Sequence, residues 1–224
     1  MTDSRPCRSE EASPSSQARR GLRLVYEMIA EALVRIPDEQ VLEDVASIAE
    51  GMGFDELSIQ ARKIDPPSAR QRFYDRFFVP TSSVYVVLSE CRMADAEITD
   101  GRIEYGPAAD RRFDHVLALY GQAGFDPKLM KGDEVAIKHL AADSLASEIA
   151  FLAYLENARE QKEADPAVVD RFAYAFLKRH SAWIGRAADI MMNQDDDLYA
   201  KLVELAATAV QAHREMLENR KATA

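Results

Sequence analysis

Apolar residues that recur every three or four positions constrain this chain more than any other feature. Across residues 165–192, Val169, Phe172, Ala173, Phe176, His180, Trp183, Ile184, Ala187 and Met191 keep that spacing. It is the period of one face of an α-helix. The same period marks residues 18–36, 39–52, 54–64, 66–78, 108–123, 142–162 and 196–218. No strand–helix alternation, solenoid repeat or glycine-rich phosphate loop interrupts it. The expected fold class is therefore all-α, a single multi-helix domain over residues 18–220 with the long C-terminal helices at its core.

Local signals set the boundaries. Pro37 ends the first helix and Asp38 caps the second. Asp65-Pro66 and Asp165-Pro166 each open a helix, because proline is tolerated in the first turn. Gly124 is expected as a left-handed helix stop, with Phe125 following it. Asp143 reads as the cap of the helix over 142–162, and Asp195 or Asp196 as the cap of the last one. Residues 81–93 are β-branched enough for a strand but have nothing to pair with, so an extended turn running into a short helix is expected. Residues 98–107 read as a loop, and 126–141 as a connection holding a helical turn. Residues 1–17, rich in Ser, Pro and charge, have too little apolar surface to offset ordering and read as a disordered tail.

The formal charge of −10 argues against nucleic-acid binding, which needs phosphate neutralisation, and against anionic lipid. It suits either simple solubility or a cationic peptide partner. Two cysteines, Cys7 and Cys91, without a CxxC pair fit a reducing cytoplasm. No apolar run approaches a membrane span. Arg19-Arg20 precede an apolar stretch as in a twin-arginine export signal, but Glu27 and Glu31 interrupt it at helical spacing, so an amphipathic helix is expected.

The chemistry-bearing residues form no reaction signature. His115, His139, His180 and His213 are never three or four apart, and no HExxH is present, so no metal is expected. Asp195-Asp196-Asp197 lacks the ligand spacing of a calcium loop and fits a helix N-terminus instead. No serine or cysteine sits in a nucleophile motif. Two readings of His180 stand: a satisfied core histidine, or an imidazole lining a groove beside Trp183, whose ring offers apolar area and an indole donor. Asp143 is either a cap or a groove carboxylate. Ser144, Ser147, Glu148 and Phe151 share one stripe of their helix, polar at one end and apolar at the other.

Four segments carry a family resemblance: YDRFFVPTSSVYVVLSE from Tyr74 to Glu90, LYGQAGF from Leu119 to Phe125, DSLASEIAFLAYL from Asp143 to Leu155, and FLKRHSAWI from Phe176 to Ile184. In this order they resemble the TorD/DmsD/NarJ superfamily, cytoplasmic chaperones that mature molybdenum redox enzymes, over residues 20–220. Where that family has Asp-His, this chain has Asp143-Ser144, the usual upstream proline and glutamate are missing, and His139 precedes the motif. The resemblance implies a helical, non-enzymatic chaperone in the cytoplasm, with no cofactor of its own. It would be a monomer or dimer that binds a molybdoenzyme apo-subunit through its twin-arginine signal peptide or another segment, delaying export while cofactor is inserted. Glu90, Tyr120, Asp143, Ser144, Glu148, Phe151, His180 and Trp183 would be the peptide-binding residues. The carboxylates would clamp the paired arginines. Trp183 and Phe151 would take the apolar part, in a helical or an extended mode. The alternatives are a helical adaptor with an unrelated client and a metal-dependent helical enzyme using His180.

Overall fold

One helix, α8 (Leu145–Glu160), is buried on nearly every side, and the other long helices are arranged about it. Leu145, Ile149, Phe151, Leu152 and Leu155 are buried around it, and Ser147, Glu148 and Glu156 are buried with them, so little of it is left for water. The computed structural model describes residues 14–223. α1 (Pro14–Val34) packs along the length of α8, followed by α2 (Glu39–Gly51) and α3 (Asp55–Lys63), which pack on each other. α4 (Pro66–Phe77) leads through an extended segment into the single turn α5 (Glu90–Met93). α6 (Arg111–Ala123), a 3-10 turn at Pro127–Leu129 and α7 (Glu134–Lys138) precede α8. α9 (Pro166–His180), α10 (Ala182–Gln194) and α11 (Leu198–Thr223) complete the bundle, with α11 touching α1, α3, α9 and α10. The fold class is all-α, as the periodicity requires, with α8 and α11 in the core.

Aspartate starts most of the helices. Asp38, Asp65, Asp110, Asp133 and Asp165 each accept a backbone N–H in the first turn of the following helix, a stabilisation of about 1 kcal/mol apiece. Gly124 stops α6 with φ 73, in the left-handed region where a Cβ is penalised.

Five boundaries differ from expectation. The tail expected over 1–17 lies outside the described residues for 1–13, and α1 begins at Pro14, where proline suits a first turn. The stretch expected as a loop over 98–107 contains a hairpin, β1 (Glu97–Thr99) with β2 (Arg102–Glu104), antiparallel, Ile98 opposite Ile103. Its turn is Asp100-Gly101, both with positive φ (52 and 75), the geometry a two-residue hairpin demands. α8 is capped by Ser144, whose Oγ accepts from Ser147 N, and not by Asp143. α11 is capped by Asp197, whose Oδ1 accepts from Tyr199 N and Ala200 N, and not by Asp195 or Asp196. The helix expected over 165–192 breaks at Ser181, whose Oγ donates to Leu177 O at 2.6 Å and so competes with the helical ladder. His180 therefore ends one helix and Trp183 opens the next.

Two buried cationic side chains tie the periphery to the core. Arg76, fully buried, donates to Asp197 Oδ2 (2.8 Å), Val84 O (3.1 Å), Gln194 Oε1 (3.0 Å) and Asp195 O (2.6 Å). It joins α4, the extended segment and the α10–α11 turn. Arg19, the first residue of the would-be export pair, donates through Nε to Glu156 Oε2 (2.6 Å) and through Nη1 to Asp170 Oδ1 (2.6 Å), fastening α1 to α8 and α9. His213 Nε2 lies 3.1 Å from Glu156 Oε1.

Burial raises the pKa of the Glu156 carboxyl, but His213 and Arg19 outweigh it and hold the group near 2, below its ordinary 4.5. A carboxylate depressed in this way stabilises the fold above pH 4.5 and loses that contribution as pH falls towards 2. Glu156→Gln should cost about 3 kcal/mol at pH 7. In urea unfolding, the gap to the parent chain should narrow between pH 4.5 and pH 2.

Candidate functional site

Two backbone hydrogen bonds bring the motif-bearing segments together. Glu90 N donates to Asp143 O (2.8 Å) and Leu145 N to Leu88 O (3.0 Å), an antiparallel bridge centred on Ser89 and Ser144. Asp143 reinforces it by accepting from Cys91 N at 3.0 Å. This is why Asp143 does not cap α8: its carboxylate turns inward to the α5 turn, and the cap passes to Ser144.

Behind this bridge lies a buried polar cluster. Glu90, Asp143, Glu148, His180 and Trp183 are each at most 3% exposed. His180 Nδ1 lies 2.7 Å from Glu90 Oε2, and His180 Nε2 lies 2.6 Å from Nδ1 of the half-buried His115. The Trp183 indole donates to Glu148 Oε2 at 3.0 Å, while Glu148 Oε1 has no partner. Burial, followed by the nearby charges of Glu90 and Asp143, pushes the Glu148 pKa well up, with the indole bond opposing. A raised pKa favours the uncharged acid, the form that a buried site with one unpaired oxygen tolerates. Burial, then Arg179 and His180, lower the His115 pKa. Burial, then Asp110 and Asp143, push the Cys91 thiol up to about 12, so it is not a thiolate nucleophile at neutral pH.

Tyr120 and Phe151 sit in the same interior. The Tyr120 hydroxyl donates to Ala142 O at 2.9 Å, fixing the turn before α8. The Phe151 ring packs against Tyr120, Phe125 and Phe176, with centroids 4.7, 5.4 and 5.0 Å away. Of the eight residues expected to meet a peptide, seven face this interior, and Ser144 alone borders open space.

That open space is a cavity of 560 Å³ on the other side of the bridge. Its walls are Leu33 and Val34 of α1, Phe77 and Phe78 at the end of α4, the extended run from Tyr85 to Ser89, Val135 and Ala136 of α7, His139 to Ala141, and Ser144 to Ala146. No Asp, Glu, Lys or Arg lines it. Its size is that of a small-ligand or side-chain pocket. Val135, 50% exposed, stands on its rim. The sequence signal for these walls was the apolar extended run over 84–88, which has no strand to pair with.

Among the described residues no group of three or more His, Cys, Asp or Glu is placed to hold a metal ion. No helix among them is long and apolar enough to cross a membrane.

The fold and site thus define an all-helical protein with an uncharged open cavity backed by a buried acid–imidazole cluster. No family model and no curated protein sequence matches the chain. Among solved structures it is similar to a "putative redox enzyme maturation protein" from Archaeoglobus fulgidus. The two share 16% identity over 96% of this chain and 99% of that one, with a TM-score of 0.47.

Trp183→Phe keeps an aromatic ring and removes the indole donor to Glu148. It should cost about 1–3 kcal/mol, the range for stranding a buried polar group. Urea unfolding of both proteins at pH 7 checks it, and no loss would mean that the indole bond contributes nothing.

Proposed function

We propose that this chain is a maturation chaperone of the TorD/DmsD/NarJ type. It binds an apolar segment of a molybdenum redox enzyme subunit in the cytoplasm and holds the subunit back from export while cofactor is inserted. It works by binding alone. One observation supports the reading above others: the four segments that resemble the family converge, from distant parts of the chain, on the bridge between Ser89 and Ser144. Tyr120 fixes the turn before it, and His180 and Trp183 reach the carboxylates behind it.

The geometry changes the way such a client would be held. Glu90, Asp143 and Glu148 are buried and bonded internally, Glu148 through one oxygen, which favours a client held by apolar contact over an arginine clamp. The uncharged cavity suits the apolar stretch of a leader or of another segment, since a charged side chain there would lose hydration without a partner. The net charge of −10 acts at longer range, favouring the approach of a leader that carries paired arginines.

Calorimetric titration with leader peptides of molybdoenzymes encoded in the same genome tests the proposal. One leader should bind, and Val135→Asp on the cavity rim should weaken it roughly tenfold or more with little effect on folding. If no leader and no molybdoenzyme subunit binds, the proposal fails.

A further inference from the structure

The two long walls of the cavity are built differently. The wall carrying Leu88, Ser89, Ser144 and Leu145 is fixed by the bridge hydrogen bonds and by Asp143. The opposite wall is the strap over residues 127–140, which contains α7. Beyond the bonds of Lys128 N and Leu129 N to the adjacent Asp126, one hydrogen bond among the described residues joins that strap to the rest of the chain: Asp133 N donates to Val34 O at 2.7 Å.

Every other polar contact of the strap is local. Asp133 caps α7. Lys128 Nζ donates to Ile137 O (3.0 Å), Lys138 O (3.3 Å) and Leu140 O (2.8 Å), closing the strap's C-terminal end onto its own start. Gly132 lies so close to α1 that an added Cβ would stand 2.7 Å from Val34 O and 3.0 Å from Val34 Cβ. Leu129 of the strap is 80% exposed, and Val135, on the cavity rim, is 50% exposed. The strap's hold on the bundle is otherwise apolar, through buried Pro127 and Ala136 and the partly buried Met130, Ile137 and Leu140, and a unit with one external hydrogen bond belongs to the low-stability end of a structure.

We infer that residues 127–140 are a lid: it swings from α1 as a preassembled unit, breaking the bond between Asp133 and Val34, and widens the apolar cavity to admit its ligand. Lys128 keeps α7 intact while the lid moves, so opening does not require α7 to unfold. The inference rests on the cavity being the binding site, but its test uses no client, so it stands or falls separately from the chaperone reading.

Hydrogen exchange on the unaltered chain reads the opening directly. The Asp133 amide should exchange at least about a hundredfold faster than the Leu152 amide in α8. It should slow when the cavity holds Nile red, an uncharged apolar dye. Equal protection at the two amides, or no response to the dye, overturns the lid. A second experiment loosens the lid. In Gly132→Ala the new Cβ would stand 2.7 Å from Val34 O, so the strap must move off α1. The variant should exchange its Asp133 amide and load Nile red at least about tenfold faster than the parent chain, with the Leu152 amide unchanged. Equal rates in the two proteins overturn the inference. Should the variant not fold, the exchange comparison on the unaltered chain decides by itself.

Discussion

The pairing of Leu88–Glu90 with Asp143–Leu145 is the constraint on which the site depends. Two peptide hydrogen bonds and one carboxylate acceptor hold the segment after α4 against the start of α8. That placement turns Glu90 inward onto His180 and leaves Leu88 and Ser89 outward, on the cavity. A single bridge therefore sorts polar from apolar. The acids lie behind it and the uncharged walls in front.

Buried charge is arranged on the same plan elsewhere. Arg76 fills the space between α4 and the α10–α11 turn with a guanidinium whose donors meet a carboxylate, a side-chain amide and main-chain carbonyls. Arg19 does the same between α1 and the pair α8–α9. Taking a guanidinium out of water is costly, and such groups persist where their hydrogen bonds are satisfied. These pairs specify which helices meet. In particular they anchor α1, and α1 supplies both a cavity wall and the carbonyl that holds the lid. Rigid helices on one side and a lightly tethered strap on the other give the cavity one fixed and one yielding wall.

Most of the fold was legible because its signals are local. Three-four periodicity, the Asp-Pro helix starts and the Gly124 stop each act over a few residues, and each appears where the chain suggests. The Asp100-Gly101 hairpin, which stands where a loop is expected, carries an equally local signal, since Asp-Gly between Ile98 and Ile103 is a turn motif. The break at Ser181 was not legible, because its serine hydroxyl competes with a helical ladder whose apolar spacing continues without interruption on both sides. The site was legible in membership and illegible in orientation. Periodicity puts His180, Trp183, Glu148 and Phe151 on apolar faces, and such a face looks the same whether it meets a ligand or another helix.

The sequence by itself determined the helical class, the Asp-Pro helix starts and the residues that gather at the centre, because these follow from backbone propensity and the spacing of apolar side chains. Only the tertiary structure decided that Asp143 leaves its helix cap to serve the Cys91 amide, that His115 meets His180, and that the acids are sealed behind an uncharged cavity. The physical reason is range. Caps and periodicity are set by neighbours within a helical turn or two, whereas partners such as His115 and His180, 65 residues apart, are chosen by packing of the whole chain.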